Sequence, residues 1–200
     1  VVRLHDDLMA AVPTILRVGM TERELCLRIR HLADEMFRGE FVVLAGAHPQ
    51  FPDGNLYLYS NHTICRGDFV YLLIELAGPG GIWAELGRTF SMGEPSREMR
   101  RVWADAVRLE NDLAALCKPG VPAREMFLEC NRRLEAGGYQ PELKFFAHGQ
   151  GYEMVARPIF DEWETMAFEE NMYLSIHPRC KNGEAAAVCM DNFVVTREGA

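Results

Sequence analysis

The chain has 200 residues, 48% of them hydrophobic, and a formal net charge of -8. That composition supplies one substantial core, so a single domain over residues 1–200 is the expectation. An acidic balance with no basic run argues against nucleic acid and anionic membrane as main partners, and the longest apolar runs fall far short of a membrane span.

Residues 3–17 place Leu4, Leu8, Ala11, Val12 and Leu16 near helical period, with Gly19 as the stop. Thr21 and Glu24 then read as a capping box, opening a second helix whose apolar face is Leu25, Ile29, Leu32 and Met36. Phe41 to Leu44 reads as a strand, and Gly46 to Asn61, rich in Gly, Pro, Asp and Asn, as a long loop. Arg66-Gly67-Asp68 is a turn. Strands follow at Phe69 to Leu76 and Ile82 to Phe90, joined as a hairpin by Gly78-Pro79-Gly80-Gly81.

The order then repeats. Residues 97–116 form a helix faced by Met99, Val102, Trp103, Ala106, Leu109, Leu113 and Leu116, ended by Pro119-Gly120. A shorter helix carries Met126, Phe127, Cys130 and Leu134. Gly19-Met20-Thr21-Glu22-Arg23-Glu24-Leu25 compares with Gly120-Val121-Pro122-Ala123-Arg124-Glu125-Met126: glycine, short link, Arg-Glu, apolar helix. The pattern suggests two helix-helix-sheet halves. Phe145-Phe146, Met172 to His177 and Ala185 to Thr196 supply the strands of the second half.

The densest chemistry lies in Phe146-Ala147-His148-Gly149-Gln150-Gly151-Tyr152-Glu153-Met154-Val155-Ala156-Arg157-Pro158, where glycines let a backbone pass close to a ligand. His148 is either a donor to a substrate carboxylate or carbonyl, or a hydrogen-bonded turn histidine. Tyr152 is either a donor to a developing oxyanion or a core tyrosine. Arg157 is a carboxylate clamp for substrate, although a surface salt bridge is the commoner fate of an arginine. Downstream, Tyr173, Ser175 and His177 alternate and so share one strand face. Glu75 sits in the apolar run Tyr71-Leu72-Leu73-Ile74, where burial would suit it to acid or base work, unless it pairs an arginine such as Arg88. Glu85 lies on the neighbouring strand. Two carboxylates aimed into one cleft would have their pKa values pushed apart, giving an acid and a base. The methionines at 126, 154, 166 and 172 read as core filling.

Six cysteines (Cys26, Cys65, Cys117, Cys130, Cys180, Cys189) show no CxxC pair and no zinc spacing. Buried free thiols in a reducing cytoplasm are the expectation. The chain opens on helical sequence at Val1-Val2-Arg3 and reads as the C-terminal part of a longer protein.

The ordered set Gly19-Met20-Thr21-Glu22, Gly67-Asp68, Arg88-Thr89-Phe90, Gly93-Glu94-Pro95, Lys118-Pro119-Gly120, His148-Gly149-Gln150-Gly151, Asn171-Met172-Tyr173-Leu174-Ser175-Ile176 and Asp191-Asn192 covers nearly the whole chain. It resembles the catalytic domain of the creatinase, prolidase, aminopeptidase P and methionine aminopeptidase family. The resemblance implies an α+β pita-bread fold, a curved and mainly antiparallel sheet backed by two pseudo-symmetric helix pairs, and a homodimer. The family's metallopeptidases hold two metal ions through two aspartates, a histidine and two glutamates. Followed onto this chain, those positions carry Glu75, Glu85, Tyr152, His177 and Met190. All five are altered. Tyr and Met are poor ligands for hard divalent ions. The position of a further catalytic histidine falls near Leu56, with His62 close by but out of register.

Three functional readings follow from the resemblance. The first is a hydrolase or lyase that uses no cofactor, as creatinase uses no metal. It would cleave a C–N or C–S bond of a small polar substrate through Glu75, Glu85, His148, His177 and Tyr152, with Arg157, Asp191 and Leu56 contacting substrate. The second is an inactive pseudopeptidase that binds peptide or protein. The third is an Xaa-Pro type metallopeptidase with one divalent transition metal on Glu75, Glu85 and His177.

Overall fold

The computed structural model describes residues 1–36, 39–48 and 62–200. Its contacts divide the chain into two compact units, Val1–Arg97 and Glu98–Ala200. Each has the expected order of a helix pair followed by antiparallel strands.

In the first unit, α1 (Val2–Ile15) buries His5, Leu8, Met9 and Val12, one helical stripe. Leu16 turns to extended backbone, and Gly19, at a φ of 92°, carries the reversal that a side chain would resist. The capping box at α2 (Glu22–Met36) forms as expected: Thr21 N donates to Glu24 Oε2 at 2.8 Å, and Glu24 N to Thr21 Oγ1 at 3.1 Å. The strands β1 (Phe41–His48), β2 (Phe69–Ala77) and β3 (Trp83–Ser91) make one antiparallel sheet in the order β1-β2-β3. β1 runs four residues beyond the expected Leu44, because Ala45 and Ala47 pair with Leu72 and Val70 and pack into the core. Residues 49–61 of the expected loop lie outside the described residues. β2 is central and almost wholly buried. Its Val70, Leu72, Ile74 and Leu76 join Leu8, Val12, Leu25 and Ile29 in one core. Period-two alternation therefore turns Tyr71, Leu73 and Glu75 to the face away from the helices.

In the second unit, α3 (Arg97–Ala114) buries Met99, Val102, Ala106, Leu109, Glu110, Leu113 and Ala114. α4 (Ala123–Ala136) buries Met126, Phe127, Cys130 and Leu134, as its periodicity predicts. A four-stranded antiparallel sheet runs β5-β4-β6-β9, from β4 (Ala147–Gly149), β5 (Ala156–Ile159), β6 (Tyr173–Ile176) and β9 (Asp191–Val194). A separate hairpin pairs β7 (Arg179–Lys181) with β8 (Ala186–Val188). Sequence periodicity misses β5 and β7, which are too short to show it. It also places a strand at Phe145-Phe146, whereas β4 begins at Ala147. Phe146 keeps one ladder contact, its carbonyl accepting from His177 N at 2.8 Å. The rings of Phe127, Phe146, Phe160 and Phe168 form the aromatic core, with successive centroids 6.4, 5.7 and 5.2 Å apart.

All six cysteines are free, and all but Cys65 are buried. Burial pushes the Cys117 thiol up to about 12, which leaves it unreactive. No helix among the described residues is long and apolar enough to cross a membrane.

Candidate functional site

The first unit offers carboxylates. Glu75 of β2 and Glu85 of β3 are direct register partners, on the sheet face opposite the helix core. Both are buried, at 8% and 4% exposure. Long regular strands on both sides of β2 place them. Like charges directly across a ladder repel, and burial sharpens the repulsion, so two ionised carboxylates are costly in this arrangement.

At the other end of β2, His62 Nε2 lies 3.1 Å from Asp68 Oδ2, which also accepts Cys65 N at 2.8 Å. Asp68 is buried and His62 is partly exposed. The sequence noted His62 only as out of register. Leu56, expected to contact substrate, lies outside the described residues.

The second unit offers imidazoles. His148 of β4 and His177, one residue past β6, have ring centroids 5.5 Å apart at an interplanar angle of 63°. They meet because β4 and β6 pair with His148 opposite Ser175, and His177 N extends that ladder to Phe146 O. His148 is 2% exposed and His177 is half-buried. His148 Nδ1 is 2.9 Å from the carbonyl oxygen of Gly149. A carbonyl only accepts, so Nδ1 carries the proton and the lone pair of the neutral ring sits on Nε2.

Gly149 is required for a different reason from the one its sequence suggests. A Cβ there would lie 2.4 Å from the Arg157 carbonyl oxygen, so the close approach is to the neighbouring strand β5. The ladder also shifts register between His148 and Gly149. Gln150, not singled out from sequence, ties this bend down. Its N donates to Tyr173 O at 2.9 Å, its Nε2 to Met154 O at 3.1 Å, and its Oε1 accepts from Asn192 Nδ2 at 2.8 Å. A glutamine is read as surface by composition alone; only its burial shows the role.

Three other expected site residues belong to this unit. Tyr152 is 78% exposed in the turn between β4 and β5, so it is not a core tyrosine. Arg157 takes the commoner fate of an arginine. Its Nε donates to Glu164 Oε2 at 3.0 Å and its Nη2 to Glu164 Oε1. Glu164 also accepts Ile159 N and Met166 N, and the pair holds its carboxyl down to about 2, the Arg157 hydrogen bond being the largest cause. The carboxylate that Arg157 clamps is thus the protein's own. Asp191 opposes Ile176 at the start of β9, with Cys189 Sγ 3.5 Å from its Oδ2.

These positions also test the metal centre that the resemblance implies. Tyr152 is out in solvent and Met190 is a buried thioether. Hard divalent ions want carboxylate, carbonyl or imidazole ligands. With two of the five positions supplying none, a dinuclear hard-ion centre does not fit these residues.

The chain matches the metallopeptidase family M24 over residues 1–197. The probable dipeptidase PepE of Mycobacterium tuberculosis (strain ATCC 25618 / H37Rv) is 26% identical over 198 residues, covering 98% of this chain and 52% of the relative. An uncharacterized peptidase of Bacillus subtilis, YqhT, is 23% identical over 203 residues, with 98% and 56% covered. Among solved structures, dipeptidase PepE from Mycobacterium ulcerans superposes with a TM-score of 0.88 at 24% identity, over 98% of this chain and 54% of that one. The prolidase from Pyrococcus furiosus gives 0.84 at 20%, over 98% and 59%. The chain spans about half the length of the curated relatives it matches. The structural matches carry the pita-bread fold, and the family match over nearly every residue carries the membership: this chain belongs to the metallopeptidase family M24.

Proposed function

We propose that this chain is the catalytic module of an M24 hydrolase that cleaves the C–N bond of a small polar amide of about dipeptide size, by acid–base catalysis without the family's dinuclear metal. One observation carries the reading: Glu75 and Glu85 stand opposite each other, both buried, on adjacent strands. Burying two carboxylates side by side is costly, and sites that do so use one as base and one as acid. The peptidase and dipeptidase names of the relatives favour hydrolysis over elimination.

In this reading Glu85 takes a proton from water as the water oxygen bonds to the substrate carbonyl carbon. The tetrahedral intermediate then collapses as its C–N bond breaks. Glu75, protonated, supplies the proton to the leaving nitrogen, and the proton held by Glu85 then passes back to Glu75, which resets both carboxyl groups. Tyr152 takes no part, because an exposed, hydrated phenol offers a developing oxyanion little more than water does.

The test is a panel of Xaa-Pro and other dipeptides together with creatine, run with metal analysis of the same preparation. The expected result is turnover that survives chelators, with no stoichiometric transition metal, and a loss of about 10²-fold or more in Glu85→Gln with folding intact. Chelator-sensitive turnover restored by one Mn or Zn per chain would replace this reading with the mononuclear metallopeptidase. Tight peptide binding with no cleavage would replace it with the pseudopeptidase.

A further inference from the structure

Phe145 and Phe146 are adjacent and chemically identical, yet they end in opposite places. Phe146 is 1% exposed and packs on Phe127 and Phe160 in the aromatic core. Phe145 is 40% exposed. Its ring stands edge-on to both imidazoles, with centroids 5.9 Å from His148 at 75° and 6.4 Å from His177 at 73°. With the 5.5 Å separation of the histidines, the three rings make a closed triangle of edge contacts. Phe145 is its most exposed corner and His148 its most buried.

Leaving a large aromatic ring two-fifths exposed gives up much of what burying it would contribute. Near-perpendicular contacts at these separations are the favoured aromatic geometry, and each restricts the tilt of the partner ring. The Nδ1 contact of His148 to Gly149 O bears on tilt within the ring plane, and the Phe145 edge contact bears on tilt out of it. An imidazole that must present one nitrogen along one direction needs both.

We infer that Phe145 is a positioning residue for the His148–His177 pair: its ring fixes the tilt of both imidazoles and screens them from water. The screening and the geometry belong to the second unit alone.

The test reads imidazole access directly. Wild type, Phe145→Ala, Phe145→Leu and Phe145→Tyr are treated with diethyl pyrocarbonate, and acylation at each histidine is followed by mass spectrometry. His5 is the internal control, since it is 2% exposed and lies in the other unit. Phe145→Ala should speed acylation at both His148 and His177 by about fivefold or more, through loss of two aromatic contacts. Phe145→Leu should fall between, and Phe145→Tyr should match wild type. His5 should not change in any of them. Unchanged rates at His148 and His177, or an equal rise at His5, overturn the inference; Phe145→Leu decides the matter if Phe145→Ala does not fold. Altered acylation in a protein that cleaves nothing upholds the positioning role and sinks the hydrolase reading instead.

Discussion

The two units present their reactive side chains on sheets of opposite build. In the first, Glu75 and Glu85 sit within strands of nine residues each, in continuous register from Phe69 to Ala77. Backbone hydrogen bonding and an apolar core under β2 are enough to aim them. In the second, His148 and His177 stand in or beside strands of three and four residues, with a register shift at Gly149. Short strands cannot hold an irregular bend, and buried polar side chains take over. Glu164 gathers Arg157, Ile159 N and Met166 N; Gln150 joins β4 to β6 and β9; Glu142 joins Arg179 to the segment beside Asn131. The lesson is that the carboxylates were placed by long regular strands, and the imidazoles by short strand pairing braced by side-chain hydrogen bonds. The two should therefore fail under different insults.

Core truncation should give the largest effect. Leu72 is fully buried at the centre of β2. Leu72→Ala is expected to cost about 2–5 kcal/mol, the range for a large-to-small change in a packed core. Denaturant melts check it, and a loss well under about 1 kcal/mol would mean that the apolar core is not what aims the carboxylates.

Removing an acceptor should come next. Glu164→Ala leaves the part-buried amides of Ile159 and Met166 without their carboxylate. The expected cost is about 2–4 kcal/mol from unsatisfied donors. Amide exchange across β4 and β5 should quicken, while exchange in β2 stays slow; equal acceleration in both would erase the contrast.

Acid separates the units by pH window. Burial lowers the His5 pKa from 6.5 to about 4, opposed by the nearby carbonyls of Val1 and Ile74. A histidine depressed in the fold is protonated more readily when unfolded. Its contribution is present above pH 6.5 and is lost as pH falls toward 4, by at most about 3 kcal/mol. Glu164 is lowered from 4.5 to about 2, so its contribution is present above pH 4.5 and is lost between there and pH 2. The first unit should therefore weaken at higher pH than the second. His5→Leu should remove the loss between pH 6.5 and 4, and an unchanged acid profile in that variant would assign the loss to another group.

The smallest expected effect is at the helix starts. α2 has a reciprocal box at Thr21 and Glu24, whereas α4 starts at Pro122 with no side-chain cap. Thr21→Ala should cost about 1 kcal/mol. Pro122→Ala removes no cap and should cost less, and the reverse ranking in thermal melts would show that the box is not what starts α2.

Much of this molecule was legible in its residues. Helical stripes, the capping box, the Gly78-Pro79-Gly80-Gly81 hairpin and the order of family motifs are local or periodic patterns. Local sterics and burial on one face suffice to produce them, and the four helices and the three long strands follow. The pairing of Glu75 with Glu85 was nearly legible too, since a hairpin of known turn sets its own register. The rest depends on groups distant in the chain. Nothing local says that Arg157 will meet Glu164 rather than a substrate, that Gly149 is needed for Arg157 O, or that Phe145 faces two histidines while Phe146 enters the core. A hydrogen bond or a ring contact acts over a few ångströms whatever the sequence separation, so only the folded chain decides which partners come within reach.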